Sequence, residues 1–296
     1  MRSCKELIRG NARMKKVGLI PNMDKDREMA VTKRLVGHLL EKGCEPQLMR
    51  DAAKAAGLEQ YAKSEEEVYR DSEFVISLGG DGTLLGVGRK SAPYHTPILG
   101  INLGHLGFLT AEEKNHAETA IDRVLEGDYT VEERMMLQTC IATEPERIEG
   151  ILALNDICIN RGLLYKILEF NIFINNEYVD TFQADGVIIC TPTGSTAYNL
   201  SAGGPILKSD AHIIAITPIS AHTLTSRSIV VSAEDSVTVE INPRGDTAFT
   251  VSADGQEAWT LKGKKVVQVK CAKVHATIIK TNPQSFYDVL RKKLSR

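Results

Sequence analysis

The sequence predicts two domains in series: a parallel-sheet α/β domain of Rossmann-like layout over residues 1–130, and a β-rich, sandwich-like domain over residues 131–296. Two observations carry that prediction. As far as about residue 130, apolar runs of strand type alternate with segments of helical period, the pattern of a parallel α/β sheet. From about Tyr129 the texture changes to Val-, Ile- and Thr-rich stretches of period two, which read as mostly antiparallel strands. The C-terminal tail is placed with the second domain, with room to pack back on the first.

Lys16–Pro21 reads as the first strand, with Val17, Leu19 and Ile20 as its apolar members. Asp24–Lys42 follows as a helix, because Val31, Leu35, Val36, Leu39 and Leu40 recur at helical spacing and Gly43 stops it. Cys44–Met49 is a second strand, and Glu65-Glu66-Glu67 opens a helix whose acids form a solvated face. Phe74–Leu78 is an apolar strand that runs through Gly79-Gly80-Asp81-Gly82 into a helix begun by Thr83, Leu84 and Leu85. Thr96–Ile101 is the next strand, closed by Asn102–Phe108, and Glu112–Leu125 is again helical in pattern. In the second half, alternation over Lys166–Val179 and Ser236–Asn242 marks strands, with Asn175-Asn176 as a turn. One helix interrupts them near Ser195–Ser201, and Ser285–Lys293 reads as a short terminal helix.

With 43% hydrophobic and 25% charged residues over 296, the chain has the composition of a soluble globular protein. A net charge of −2 provides no basic field, so no nucleic-acid partner is expected. No apolar run approaches the roughly 20 residues that span a bilayer, and the basic N-terminus lacks a signal-peptide core. The six cysteines show no CxxC spacing and read as buried free thiols of a cytoplasmic protein. The histidines show neither HxH nor HExxH spacing, so no metal held by protein ligands alone is expected.

Three segments carry the chemistry. In the first, Gly79, Gly80, Gly82 and Thr83 form a phosphate-binding loop at a strand-to-helix junction. It is not a Walker A sequence, since no Lys-Ser/Thr follows, and the dinucleotide fingerprint fails at Leu85. A carboxylate among those glycines repels phosphate unless it holds a metal or takes a proton from the attacking group. Asp81 therefore points to phosphoryl transfer rather than plain binding. The second segment is Asn155-Asp156, an amide beside an acid, which suits vicinal ribose hydroxyls or, more simply, an Asx turn. The third runs from Gln183-Ala184-Asp185-Gly186 through Thr191–Tyr198 to Ser201–Pro205. It offers hydroxyls, free N–H groups and an aromatic ring, the parts that grip a nucleotide. Gly194-Ser195-Thr196 lacks the G-x-S-x-G elbow of a serine hydrolase.

Together these segments resemble the NAD kinase family of bacterial type, which carries the same motifs in the same order. Ile101–Leu109 and Ala253-Asp254-Gly255-Gln256 match as well, so the resemblance covers nearly the whole chain. It implies transfer of the γ-phosphate of ATP, held with Mg²⁺ or another divalent cation, to the 2′-hydroxyl of the adenosine ribose of NAD. Polyphosphate is left open as a second donor. The resemblance makes Asp81 the catalytic proton acceptor and sets Gly82 against the dinucleotide. It places Asn155, Asp156, Lys166, Gln183, Asp185, Thr196, Ala197, Tyr198, Asn199, Leu200, Ser201, Ser220 and Gln256 on NAD. A homodimer or homotetramer is implied in the same way. The family usually has glutamate at the position of Asp156, and a basic residue is common at that of Gln183. Two rivals share some of these features: a lipid kinase of the diacylglycerol or sphingosine type, and a non-catalytic dinucleotide-binding regulator.

Overall fold

The computed structural model describes residues 14–104, 107–110, 112–142, 147–162, 167–222, 225–243, 247–282 and 285–294. The chain divides into two units, Met1–Glu133 with Ala276–Arg296, and Arg134–His275.

In the first unit, β1 (Lys16–Pro21), β2 (Glu45–Met49), β3 (Ala62–Lys63), β4 (Phe74–Gly79) and β5 (Ile98–Asn102) pair in parallel in the order β3-β2-β1-β4-β5. Ile278 and Ile279 extend this sheet beyond β5, opposite Ile98 and Leu99. The connecting helices are α1 (Ala30–Glu41), α2 (Arg50–Ala56), α3 (Glu65–Asp71) and α4 (Asp81–Ser91). After β5 come the two-residue β6 (Glu112–Glu113) and then α5 (Ala117–Glu126). Every residue of β4 is buried, as expected of a central parallel strand covered on both faces. Leu35, Val36 and Leu39 of α1 and Ala120, Ile121 and Val124 of α5 join Leu19, Ile76 and Ile101 in one core.

The helix expected over Asp24–Lys42 starts later than its sequence pattern. A 3₁₀ turn, Arg27–Met29, precedes it, with Glu28 and Met29 at positive φ. The reason is Asp26. Its buried carboxylate accepts the Val31 and Thr32 N–H groups at 3.0 and 2.9 Å and the Thr32 hydroxyl at 2.6 Å. It thereby satisfies amides that the first turn of a helix leaves without partners. Likewise, Glu112-Glu113 forms strand rather than helix, so α5 begins at Ala117. The acidic start of α3 is more than a solvated face: Ser64 and Glu67 make a reciprocal capping box.

The second unit is built of two antiparallel sheets. Its strands in chain order are β7 (Thr130–Ala142), which begins in the first unit, β8 (Arg147–Ala153), β9 (Asp156–Arg161), β10 (Leu168–Ile174), β11 (Glu177–Ala184) and β12 (Gly186–Cys190). The short helix α6 (Tyr198–Ser201) follows, and then β13 (Ile213–Ile219), β14 (Ile229–Ser232), β15 (Val237–Asn242), β16 (Phe249–Ala253), β17 (Glu257–Leu261) and β18 (Lys265–Lys280). A terminal helix, α7 (Phe286–Leu294), belongs to the first unit.

One sheet contains β11-β10-β15-β18, and the other runs β14-β13-β12-β9-β16-β17. The inward residues of both make a single core, with Phe170, Val239 and Val267 from the first and Ile159, Val187, Ile216 and Val251 from the second. This is the sandwich arrangement. Asn175 and Asn176 both sit at positive φ in the β10–β11 turn, as a two-residue hairpin requires. Among the described cysteines all are free; Cys44, Cys158 and Cys190 are buried, whereas Cys140 and Cys271 are half-buried. No helix of the described residues is long and apolar enough to cross a membrane.

Replacing Asp26 by Ala leaves the first amides of α1 and a buried hydroxyl without their acceptor. The expected loss is about 1–3 kcal/mol of stability, measurable by urea denaturation. An unchanged midpoint and slope would rule out the capping role.

Candidate active site

Gly79, Gly80, Asp81 and Gly82 join β4 to α4, and none of the three glycines has positive φ. Gly79 is needed for space instead, since a Cβ there would lie 2.2 Å from the Thr83 hydroxyl. The expected sharp turn is thus a close packing of helix start against strand end. Gly82 is exposed, whereas Gly79 and Gly80 are buried.

Asp81, in the first turn of α4, reaches across to the segment after β5. Its Oδ2 accepts the Phe108 N–H at 2.7 Å. Its Oδ1 accepts the Leu109 and Thr110 N–H groups, both at 3.1 Å, and the Thr110 hydroxyl at 3.0 Å. Gly107 makes this approach possible, because a Cβ there would fall 1.9 Å from Oδ1. Asn102 completes the network: its amide donates to the Thr110 hydroxyl at 2.8 Å, and its Oδ1 accepts the Gly104 N–H at 2.8 Å. Of the roughly four lone-pair positions of a carboxylate, the bonds from the described residues leave one on Oδ2.

A second segment touches the glycine loop. Asn22, just after β1, donates its N–H to the Leu78 carbonyl at 2.7 Å and its side-chain amide to the Thr83 hydroxyl at 3.2 Å. The turn held there carries Lys25, whose ammonium stands 3.1 Å from the place a Gly80 Cβ would occupy. Lys25 is exposed, and it puts a positive charge beside the bare backbone of Gly80. Sequence reading missed it; the only signal is a basic residue a few positions beyond the first strand.

In the second unit, Asn155 and Asp156 lie at a bend where β8 passes into β9. The bend is held from outside, not by an Asx turn. Asp254 accepts the N–H groups of Leu154, Asn155 and Asp156 at 3.1, 2.7 and 3.3 Å. On the other side Thr191 donates its N–H to the Asn155 carbonyl at 2.8 Å and its hydroxyl to the Leu154 carbonyl at 2.6 Å. Gly194 packs against the same carbonyl, where a Cβ would be 2.2 Å from the Asn155 oxygen. The Asn155-Asp156 and Thr191–Tyr198 segments, distant in sequence, are therefore one structure. Burial, and then the charge of Asp254, push the Asp156 carboxyl up to about 7. Tyr198 is half exposed; its hydroxyl is pushed up by partial burial and by the Cys158, Asp156 and Asp185 side chains.

The remaining residues of this group divide by what they already hold. Asp185 forms a two-armed pair with Arg161, Nε to Oδ1 at 2.9 Å and a terminal nitrogen to Oδ2 at 3.2 Å. Asn199 is fully buried and spent on the protein: its amide donates to the Ser195 and Pro205 carbonyls, and its oxygen accepts the Thr217 hydroxyl at 2.7 Å. Its side chain shapes the loop. Thr196, Ala197, Leu200 and Ser201 lie partly or fully exposed around Tyr198. Ser220 is exposed at positive φ just after β13. Gln183 donates weakly to Glu169 at 3.5 Å, and its carbonyl accepts the His222 N–H at 2.9 Å. Gln256 follows Asp254 at the exposed turn between β16 and β17. Lys166 lies outside the described residues, as do His105 and Leu106 of the matched Ile101–Leu109 stretch.

The ATP-NAD kinase N-terminal domain matches residues 17–129, and the ATP-NAD kinase C-terminal domain matches residues 154–281. The chain belongs to the ATP-NAD kinase family. Among its relatives is an NAD kinase of Thermoanaerobacter sp. (strain X514), 45% identical over 282 residues, covering 95% of this chain and 99% of that protein. The NAD kinase of Geobacter sp. (strain M21) is 38% identical over 95% of this chain and 98% of its own. An NAD kinase from Archaeoglobus fulgidus, solved in complex with ATP, superposes with a TM-score of 0.75 at 25% identity, covering 95% of this chain and 99% of that one. Yeast NADH kinase, solved with NADH, shares the fold at a TM-score of 0.88 and 21% identity, over 96% of this chain and 88% of its own. Membership in the ATP-NAD kinase family makes the chain a phosphotransferase and gives no support to the lipid-kinase or regulator readings.

Asp156 has a consequence for stability. Its carboxyl keeps a proton in the folded unit to about pH 7, but loses it at the ordinary 3.8 when unfolded. Between those values the folded state binds more protons, so this group's contribution to stability falls as pH rises from about 4 to about 7. Asp156→Asn removes the contribution. The melting temperature of the variant relative to the parent is expected to climb between pH 5 and pH 8. A constant difference would contradict the buried, protonated state.

Proposed function

We infer that this chain transfers the γ-phosphate of ATP to the 2′-hydroxyl of the adenosine ribose of NAD, giving NADP. Family membership over both domains supports the reaction. The single observation that carries the residue roles is the carboxylate of Asp81, fixed by four donors at the mouth of a glycine loop. A ribose hydroxyl is a weak nucleophile, so an acceptor for its departing proton speeds attack by typically ~10²–10⁴-fold. Asp81 accepts that proton on the remaining lone pair of Oδ2. The backbone around Gly79, Gly80, Gly82 and Thr83 takes the phosphates, with the Lys25 ammonium as counter-charge. In the second unit, Asn155 and Asp156 hold ribose hydroxyls. Asp185, Gln183, Gln256, Ser220, Lys166 and the run Thr196–Ser201 contribute the rest of the dinucleotide contacts.

A divalent cation, Mg²⁺ by preference, belongs to the same proposal. No three His, Cys, Asp or Glu converge to hold one among the described residues. Mg²⁺ bound through substrate phosphates needs only one or two protein carboxylates, so the residues fit a cation that arrives on the triphosphate. When bound, it neutralises charge on the transferred group. Assembly as a homodimer or homotetramer and a place in the cytoplasm are further parts of the proposal, supported by family membership alone.

The direct test is a coupled assay for NADP with NAD, ATP and Mg²⁺, then with polyphosphate as donor. Asp81→Asn is expected to keep most NAD affinity while turnover falls by ~10²-fold or more. Near-normal turnover would remove Asp81 from the chemistry. Lys25→Ala is expected to raise KM for ATP about tenfold, worth about 1.4 kcal/mol, and to leave KM for NAD unchanged. An equal rise for both substrates would show that Lys25 does not act on the phosphate donor.

A further inference from the structure

We propose that Asp254 is a positioning residue for NAD, acting through the Asn155-Asp156 bend without touching the dinucleotide. The proposal rests on the assignment of that bend to NAD. Asp254 stands at the end of β16, 98 to 100 residues away in sequence from the amides it collects. Its two oxygens take the N–H groups of three consecutive residues, and its own N–H returns to the Asp156 carbonyl at 2.9 Å. To do so it adopts φ +53, a left-handed conformation that non-glycine residues accept at a cost. Asparagine and aspartate tolerate that conformation best, and asparagine offers one acceptor oxygen instead of two.

The clamp has two effects on the pair. It fixes the backbone from which the Asn155 and Asp156 side chains project, together with Thr191 on the opposite side. It also sets a negative charge beside Asp156, the one charged neighbour that raises that carboxyl besides burial itself. The other titratable groups that sense the Asp156 charge are Cys158 on the same strand, Cys190 on β12 and Tyr198 on α6. The thiols of both cysteines are pushed up to about 12 by burial, so they stay neutral across the working range. Asp254 is therefore the group whose removal changes the pH at which Asp156 becomes an acceptor for ribose hydroxyls.

The test compares Asp254→Ala and Asp254→Asn with the parent in steady-state kinetics, in calorimetric NAD binding and in thermal melts. Asp254→Ala loses three acceptor contacts, and KM for NAD is expected to rise tenfold or more while KM for ATP holds. Asp254→Asn keeps the backbone conformation and one acceptor, so most NAD affinity is expected to return. In Asp254→Asn the rise in KM for NAD at low pH is expected to set in at a lower pH than in the parent. A purely structural residue would lower the melting temperature and leave that pH profile where it was. An unchanged NAD constant in folded Asp254→Ala, a parallel rise for ATP, or an unmoved pH profile in Asp254→Asn overturns the proposal. If Asp254→Ala does not fold, the pH profile of Asp254→Asn decides. A parent protein that makes no NADP rejects the reaction itself; an active parent with indifferent Asp254 variants rejects only the positioning role.

Discussion

Backbone amides that pair with neither strand nor helix must find an acceptor, and in each unit one aspartate supplies it for three successive residues. Asp81 serves Phe108, Leu109 and Thr110 in the first unit, and Asp254 serves Leu154, Asn155 and Asp156 in the second. Each carboxylate thereby ties down a segment at a place where chain direction changes, after β5 in the first unit and at the entry to β9 in the second. A carboxylate is well matched to three converging N–H groups, because it only accepts, it has two oxygens, and bonds to a charged acceptor are the stronger kind. The cost is that most of the lone pairs of Asp81 are already used within the protein. In the proposed reaction this leaves one direction of approach.

The architecture was legible where periodicity speaks. The buried run Phe74–Gly79, the helical spacing of Leu35, Val36 and Leu39, and the alternation through Val237–Asn242 each became the element their pattern requires. Ends were less legible. The start of α1 was decided by the Asp26 side chain bonding five and six residues ahead, which competes with the hydrophobic pattern and leaves no trace in it.

The candidate site shows the same division. The glycine loop, the amide–acid pair and the hydroxyl-rich run announce themselves through residue types rarely clustered without reason. What fixes them was hidden, since it lies in pairings over long sequence distances: Thr110 to Asp81, Asp254 to Asn155, Asn22 to Thr83. Residue type is also silent about what a polar side chain already holds. Asn199, which the resemblance places on NAD, has its buried side-chain amide bonded to Ser195, Pro205 and Thr217. A sequence displays donors and acceptors but does not say which of them the protein has already spent.

The division of the chain into units is not a division into halves. Ala276–Arg296 belongs with Met1–Glu133, and Ile278 and Ile279 lie beside β5. The Thr281 hydroxyl donates to Glu112 at 2.5 Å. In sequence, the second unit is thus an uninterrupted segment between the two pieces of the first. On a ribosome, the order of completion is therefore reversed with respect to the order of synthesis. Arg134–His275 can close on its own strands as soon as it emerges, while the earlier-made sheet waits, with Ile98 and Leu99 of β5 lacking a neighbour on one side, for a strand encoded far downstream.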